Sequence, residues 1–110
     1  MNKDNVFVEN ILDSIRKIEE FTDKVQEEDF LNNQILQSAT ILHLALIGEE
    51  SNKIKQEIKS KIDLPWREIV GFRNMAFHDY MNLSLDIVWK TIKDRIPELK
   101  AKLLEYKNKT

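Results

Sequence analysis

The sequence predicts an all-α protein, an antiparallel bundle of three long helices with one short helix before the last. Apolar residues recur at spacings of three and four, the period of one helix face. Only 2 glycines and 2 prolines occur among 110 residues, so the backbone has few places to turn sharply. This favours a few long helices over many short strands. The length suits a single domain over residues 1–110.

The first predicted helix is amphipathic. Its apolar stripe consists of Phe7, Ile11, Ile15, Ile18, Phe21 and Val25. The acidic run Glu27-Glu28-Asp29 then interrupts the stripe, and we interpret it as a solvated helix start rather than a catalytic carboxylate pair. Either Asp29 or Asn32 is suited to cap the helix that follows, since both types accept backbone N–H groups at a helix start.

The second predicted helix runs from about Asn33 to Ile62 and is apolar on nearly every side in its first half. The residues are Ile35, Leu36, Ala39, Ile41, Leu42, Leu44, Ala45, Leu46 and Ile47. Such a helix must be covered on more than one side, and in a small chain one cover can be a second protomer. His43 lies within this stretch, so we expect it to be buried or interfacial rather than a metal ligand.

The two prolines and Ser84 predict the boundaries of the remaining helices. Pro65 suits the first position of a short helix, which we expect over about residues 66–77. Residues 79–82 read as a connection, and Ser84 is the expected N-cap of the last helix. Pro97 falls inside that last apolar stripe, so a kink or restart is expected near Arg95.

Composition excludes several classes of function. The chain has no cysteine, and we expect a cytoplasmic protein without disulfides or thiolate metal sites. Residues 1–5 lack the pattern of a signal peptide, and no apolar run reaches the ~20 residues of a membrane span. No H-E-x-x-H or similar cluster predicts a metal site. The net charge of −2 means that any nucleic acid must be bound by locally placed cations.

The candidate functional residues are Arg73, Asn74, His78 and Tyr80, which fall within eight positions. On a helix, Asn74 and His78 are one turn apart on one face. Arg73 and His78 diverge by about 140°, so joint action on one phosphate needs a distorted helix end or a second chain. Spacing alone equally allows a structural interpretation, in which Arg73 pairs with an acid such as Glu49, His78 caps a helix and Tyr80 packs its ring.

These residues resemble the motif of the HepT-like branch of the HEPN domains, which is Arg, four residues, His, one residue, Tyr. Here the motif is complete from Arg73 to Tyr80. Further family landmarks are similar and stand in the same order: Ile47-Gly48-Glu49, Leu64-Pro65-Trp66, Ile69, Gly71, Ile87-Val88-Trp89 and Ile96-Pro97-Glu98-Leu99. Two regions depart from the family pattern. Asp79 replaces a common glycine, and Leu42 and His43 occupy a region where a basic residue is frequent.

The resemblance implies a HEPN-like fold and a metal-independent endoribonuclease toxin of a type VII-like toxin–antitoxin pair, with no cofactor. The substrate would be RNA rather than DNA, because the 2′-hydroxyl of RNA is the nucleophile. Arg73 would stabilise the phosphate charge and His78 would transfer protons. Asn74 would position these two side chains. A second histidine would come from a homodimer with a composite cleft.

The resemblance also implies a partner, a minimal (MNT-type) nucleotidyltransferase antitoxin that attaches AMP to Tyr80. A non-catalytic helical module that binds such a nucleotidyltransferase is the alternative function.

Overall fold

The computed structural model describes residues 3–109, with side chains from residue 5. Its helices are α1 (Lys3–Thr22), α2 (Glu27–Leu31), α3 (Gln34–Lys53), α4 (Gln56–Lys59), α5 (Trp66–His78), α6 (Leu85–Lys90) and α7 (Ile96–Lys109). A 3-10 turn forms at Tyr80–Asn82, and a π-helical segment, Thr91–Arg95, joins α6 to α7. No strand occurs within residues 3–109, which confirms the all-α prediction. The predicted domain extends beyond these residues at positions 1, 2 and 110.

Three long helices form the bundle: α1, α3 and the continuous run from α6 through α7. The helix α3 packs between α1 and α5, and α1 also packs on α7. Neighbours run antiparallel, since Asn10 in the first half of α1 bonds Glu50 near the end of α3 (3.3 Å). Lys100 of α7 likewise pairs with Glu19 near the end of α1 (3.0 Å). Each helix of the described residues is too short or too polar to span a lipid bilayer.

The stripe of α1 supplies one wall of the core. Ile11, Ile15 and Ile18 are fully buried, as the spacing predicts. The prediction is wrong for Val25, which follows the helix because α1 ends at Thr22. Lys24 adopts a left-handed backbone conformation there (φ 60°), which turns the chain out of the helix axis.

The start of α3 is capped one residue later than the sequence predicts. Asn33, rather than Asp29 or Asn32, accepts the N–H of Leu36 through its side-chain oxygen (3.0 Å). Asp29 instead accepts the N–H of Gln26 (3.2 Å) at the start of α2. The reason is that the acidic run forms the first turn of a separate five-residue helix, so its capping side chains act on that helix.

The predicted single helix over residues 33–62 is also wrong, because α3 ends at Lys53. Ile54 has an extended backbone (φ −75°, ψ 134°), and α4 begins two residues later. At 1.5 Å per residue, a straight helix to Ile62 would extend about 14 Å further. The break instead returns Ile54 and Ile62 to the core, where they are 3% and 5% exposed.

The later boundaries agree closely with the sequence. The helix α5 begins directly after Pro65 and ends at His78, one residue beyond the predicted end. Ser84 is the N-cap of α6, and its hydroxyl accepts the N–H of Ile87 (3.4 Å).

The kink predicted around Pro97 takes the form of a π-helical turn. The N–H of Ile96 bonds the carbonyl of Thr91, five residues earlier, and α-helix restarts at Ile96. Proline has no N–H for a bond four residues back, so the wider turn forms where that bond is missing. The expected restart near Arg95 is thus confirmed.

His43 lies at the interface of α1 and α3, as predicted. Its Nδ1 lies 3.4 Å from the hydroxyl of Ser14, and its ring lies 5.7 Å from that of Phe21. Burial lowers the pKa of His43, and the charge of Lys17 lowers it further against the opposing effect of Asp13. The neutral imidazole therefore acts as a packing group between the two helices.

Gly48 allows α5 to approach α3 unusually closely. A Cβ at position 48 would lie 2.6 Å from the Cβ of Arg73 and 2.7 Å from the carbonyl oxygen of Ile69. Neither atom lies at the end of a flexible side chain, so any larger residue would force α5 away. The other glycine, Gly71, has no such neighbour, since nothing lies within 4 Å of the position that a Cβ would occupy there.

We predict that Gly48→Ala lowers the free energy of unfolding by about 1–3 kcal/mol, because overpacking outweighs the better helix propensity of alanine. Equilibrium urea unfolding measures the change. Gly71→Ala is the matched control and should raise stability. Equal stabilisation by both substitutions would show that the approach of α5 does not depend on Gly48.

Candidate active site

Arg73 is fixed by a carboxylate on the neighbouring helix. Its Nε donates to Glu49 Oε2 at 2.7 Å, and both side chains are about one-third exposed. Gly48 precedes Glu49 and holds the two helices close, so the same contact of α3 and α5 places both partners. The pairing with Glu49 that the structural interpretation anticipated is therefore present.

Two further contacts orient the guanidinium. Nη1 donates to Asn74 Oδ1 at 2.9 Å, and Cζ lies 4.9 Å from the centroid of the Phe77 ring. Arginine has five N–H groups. Within the part of the chain that the structure describes, two of them donate hydrogen bonds, so three remain to bind an anion. The Arg73 side chain is thus held in place while part of its hydrogen-bonding capacity stays available.

His78 is the last residue of α5 and is exposed, as is Asn74 one turn earlier. The helix stays regular to this point, since Asp79 N–H bonds Met75 O at 2.8 Å. A regular helix keeps Arg73 and His78 about 140° apart. One protomer therefore presents the two groups on different sides of α5, and no distortion of the helix end brings them together.

Asp79 is directed towards the turn that follows the helix. Its Oδ1 accepts a hydrogen bond from the side-chain amide of Asn82 at 2.6 Å. This bond closes the 3-10 turn at Tyr80–Asn82. The carboxylate that replaces the usual glycine therefore stabilises the turn that carries Tyr80.

Tyr80 lies beyond the helix, and its hydroxyl reaches across to α3. The phenol oxygen lies 3.2 Å from the hydroxyl of Ser38, and Tyr80 is 43% exposed. Because α5 ends at His78, Tyr80 does not share a helix face with Arg73. Among the described residues, Ser38 is thus the polar neighbour of this hydroxyl, on a tyrosine that stays partly exposed.

The sequence alone did not identify Ser38 or Phe77 as parts of this region, and it singled out Gly48 only as a family landmark. Ser38 gave one signal, as a polar residue in an otherwise apolar stretch of α3. Gly48 gave another, as a glycine in the interior of a helix, where it is disfavoured unless a neighbour approaches closely. Phe77 stands one turn after Arg73, a spacing that allows a ring to pack on a guanidinium.

A cavity beside α5 lies apart from these residues, and the described residues form no metal-binding cluster. A cavity of about 180 Å³ on the other side of α5 is bordered by apolar side chains such as Leu44 and Phe72, and none of the four motif residues lines it. Over the described residues, no three His, Asp or Glu side chains come together in a way that suits a metal ion.

Comparison with known proteins agrees with the motif. The model of the family "Ribonuclease HepT-like" matches residues 11–105. A protein of Thermococcus cleftensis, named as a candidate ribonuclease HepT, is 39% identical over 97 residues, which cover 87% of this chain and 88% of the relative. A protein of Methanocaldococcus jannaschii, named as a candidate RNase, is 34% identical over 98 residues, 88% of this chain and 90% of the relative.

A second candidate RNase, from Caldanaerobacter subterraneus, is 32% identical over 100 residues, which cover 90% of this chain and 89% of the relative. No solved structure matches the chain. The family match spans most of the bundle and includes every motif residue, so the chain belongs to the HepT-like ribonuclease family.

Proposed function

We propose that this protein is a metal-independent endoribonuclease and the toxin of a toxin–antitoxin pair. The observation that supports it most is the state of Arg73, which is anchored by Glu49 and, among the described residues, still has three N–H groups free for a phosphate. An arginine kept only for structure would be expected to direct its donors inward. The family of the chain and the names of its relatives support the same chemistry.

The proposed reaction uses the ribose 2′-hydroxyl as nucleophile. A base removes its proton, the 2′-oxygen attacks the adjacent phosphorus, and the 5′-oxygen leaves with a proton from an acid, which yields a 2′,3′-cyclic phosphate. Arg73 stabilises the charge that builds on the phosphate oxygens. His78 serves as the proton carrier, since imidazole gives and takes protons near neutral pH. Asn74 positions the guanidinium through its 2.9 Å contact.

A homodimer would supply the second proton carrier and bring arginine and histidine together. The regular end of α5 separates the two groups within one protomer, so a histidine from the partner is the natural complement to Arg73. Ile35 and Leu42, 84% and 50% exposed, lie on the face of α3 that also carries Ser38. A second copy that covers this face would lie beside the Ser38–Tyr80 contact and form a composite cleft.

Tyr80 is the proposed acceptor of AMP from a minimal nucleotidyltransferase antitoxin. The phenol oxygen would attack the α-phosphorus of ATP, lose its proton and release pyrophosphate. Tyr80 is partly exposed and its hydroxyl contacts Ser38, which suits an acceptor. The added phosphate would repel RNA from the neighbouring cleft and so silence the toxin.

The alternative function is a non-catalytic module that binds a nucleotidyltransferase. Two observations favour it. Glu49 already compensates the charge of Arg73, and one protomer does not direct Arg73 and His78 to a common point. Under this alternative the motif residues would contact the partner enzyme rather than RNA.

We predict that Arg73→Ala and His78→Ala each lower RNA cleavage by at least about 10²-fold without unfolding the protein, because each removes a group that acts in the transition state. Cleavage of a labelled RNA in EDTA-containing buffer measures this, with Arg95→Ala, an exposed arginine of the π segment, as the control. A second substrate carries deoxyribose at the cut position. Cleavage of both substrates at equal rates would rule out the 2′-hydroxyl mechanism.

We predict that co-expressed Arg73→Ala and His78→Ala chains recover part of the cleavage that neither variant has alone, and that the rate stays below the wild type because the mixed dimer keeps one of its two proton carriers. A mixed dimer keeps one arginine and one histidine on different chains, and only a composite cleft can combine them. Separately tagged chains, purified through both tags, isolate the mixed dimer for the assay. A mixed dimer as inactive as its parents, or a protein that sediments as a monomer, would argue against the composite cleft.

We predict that incubation with the nucleotidyltransferase and ATP adds the mass of AMP to the intact chain and stops RNA cleavage. Tyr80→Phe should abolish the mass gain, whereas Tyr106→Phe, the matched control on α7, should retain it. Mass spectrometry of the intact protein provides the measurement. A gain that survives Tyr80→Phe would assign the modification to another residue.

A further inference from the structure

Gly71 is a glycine in the middle of α5 that the fold does not explain. Glycine is the least favourable residue in a helix interior apart from proline. At Gly48 the close approach of α5 accounts for it, but nothing lies within 4 Å of the position that a Cβ at Gly71 would occupy. The residue is exposed, so its missing side chain leaves bare backbone at the surface. Close approach of a ligand to the helix backbone would explain why this position has no side chain.

Gly71 lies within a polar stripe that leads to the candidate active site. Arg67, Gly71, Asn74 and His78 follow one another at spacings of four, three and four, so they share one face of α5. All four are exposed. At 1.5 Å per residue the stripe is about 16 Å long, room for up to about five nucleotides at 3.4 Å per nucleotide of one strand. It starts at a cation and ends at the histidine of the motif.

The start of this stripe adjoins a basic segment of the chain. Residues 53–67 hold five cations and two acids, a net charge of +3, whereas the whole chain has −2. The cations are Lys53, Lys55, Lys59, Lys61 and Arg67, and the acids are Glu57 and Asp63. The indole N–H of Trp66 bonds the carbonyls of Lys59 and Ile62, both at 3.1 Å, which fixes this segment to the first turn of α5. The positive charge is therefore held at one end of the stripe.

We propose that the RNA strand lies along this stripe, with Arg67 binding a phosphate that flanks the cut site and Gly71 allowing the strand to contact the helix backbone. The proposal rests on the ribonuclease function and names the surface that guides its substrate. The occupant is a strand rather than a second copy of the chain, because the four residues of the stripe are polar or glycine and the adjoining segment is basic, which suits a phosphate backbone. On α5 the exposed apolar residue beside the stripe is Met75, whereas Ile35 and Leu42 belong to α3.

The test measures binding of a short single-stranded RNA whose 2′-hydroxyls are all methylated, which prevents cleavage. Fluorescence anisotropy gives the dissociation constant at several salt concentrations. We expect Arg67→Ala to weaken binding about tenfold and to lower the slope of log K against log salt by about 1, as the loss of one phosphate contact requires. Lys90→Ala, which removes an exposed cation from α6, is the matched control and should bind like the wild type.

Gly71 permits a test in which stability and binding change in opposite directions. Gly71→Ala should raise the melting temperature by about 4–8 °C, because a helix gains propensity and the added methyl group meets nothing. Gly71→Gln extends further into the same space and should weaken RNA binding about tenfold, while the fold stays at least as stable as the wild type. Higher stability of Gly71→Ala together with weaker RNA binding by Gly71→Gln would indicate that Gly71 is needed for binding and not for folding.

The outcomes separate this proposal from the function on which it rests. If wild-type protein cleaves RNA and Arg73→Ala abolishes cleavage, but Arg67→Ala and Gly71→Gln bind like the wild type, the stripe is wrong and the ribonuclease stands. A change of oligomeric state in Gly71→Gln, seen by sedimentation, would assign the stripe to a second copy and overturn the proposal. A lower melting temperature for Gly71→Ala would do so as well. Wild-type protein that neither binds nor cleaves RNA would overturn both.

Discussion

The candidate site depends on the close packing of α3 and α5 at Gly48. Without a side chain at this position, the backbone of α5 comes close enough for Arg73 to reach Glu49 across the two helices. An arginine that is two-thirds covered needs an opposite charge, because a partly buried unpaired cation is costly. The ion pair and the glycine therefore act together. Gly48 sets the distance between α3 and α5, and the Glu49 carboxylate compensates the charge of the partly buried Arg73.

The helix α3 packs against two neighbouring helices, α1 and α5. Its buried residues Ile41, Leu44 and Ile47 serve the core, and α1 and α5 flank it on either side. Its apolar circumference is therefore largely explained within one chain. What remains is the face of Ile35 and Leu42, which are 84% and 50% exposed. That face is where a second protomer would satisfy the pattern noted in the sequence.

The sequence predicted the helices well because their apolar periodicity is strong. It failed where a tertiary contact decided a boundary. Ile54 ends α3 because burying it and Ile62 outweighs the continuation of a helix that local propensity would allow. Asn33 caps α3 in place of two equally suitable residues because α2 occupies the chain just before it. Such choices depend on what lies nearby in space, which one sequence does not reveal.

The candidate residues were accessible from sequence because they lie within eight positions, whereas their surroundings come from distant parts of the chain. Glu49 was weighed as a partner of Arg73, and it is 24 residues away. Ser38, which contacts Tyr80, is 42 residues away and gave only the weak signal of a polar residue in an apolar helix. The identity of reactive groups is a local property of the chain, but their orientation is a property of the packing.

The Glu49–Arg73 pair also determines where attraction for RNA must come from. Paired charges cancel at a distance, so Arg73 orients a phosphate that has already arrived but contributes little to its capture. Long-range attraction falls to cations outside the pair. In a chain with a net charge of −2, residues 53–67 and residues 90–102 each carry a net charge of +3, and the first of these segments adjoins the start of α5. The protein thus separates the two tasks. A basic segment at one end of α5 gathers the strand, and in the proposed composite cleft the arginine of the second protomer, held by its own carboxylate, stabilises the reacting phosphate.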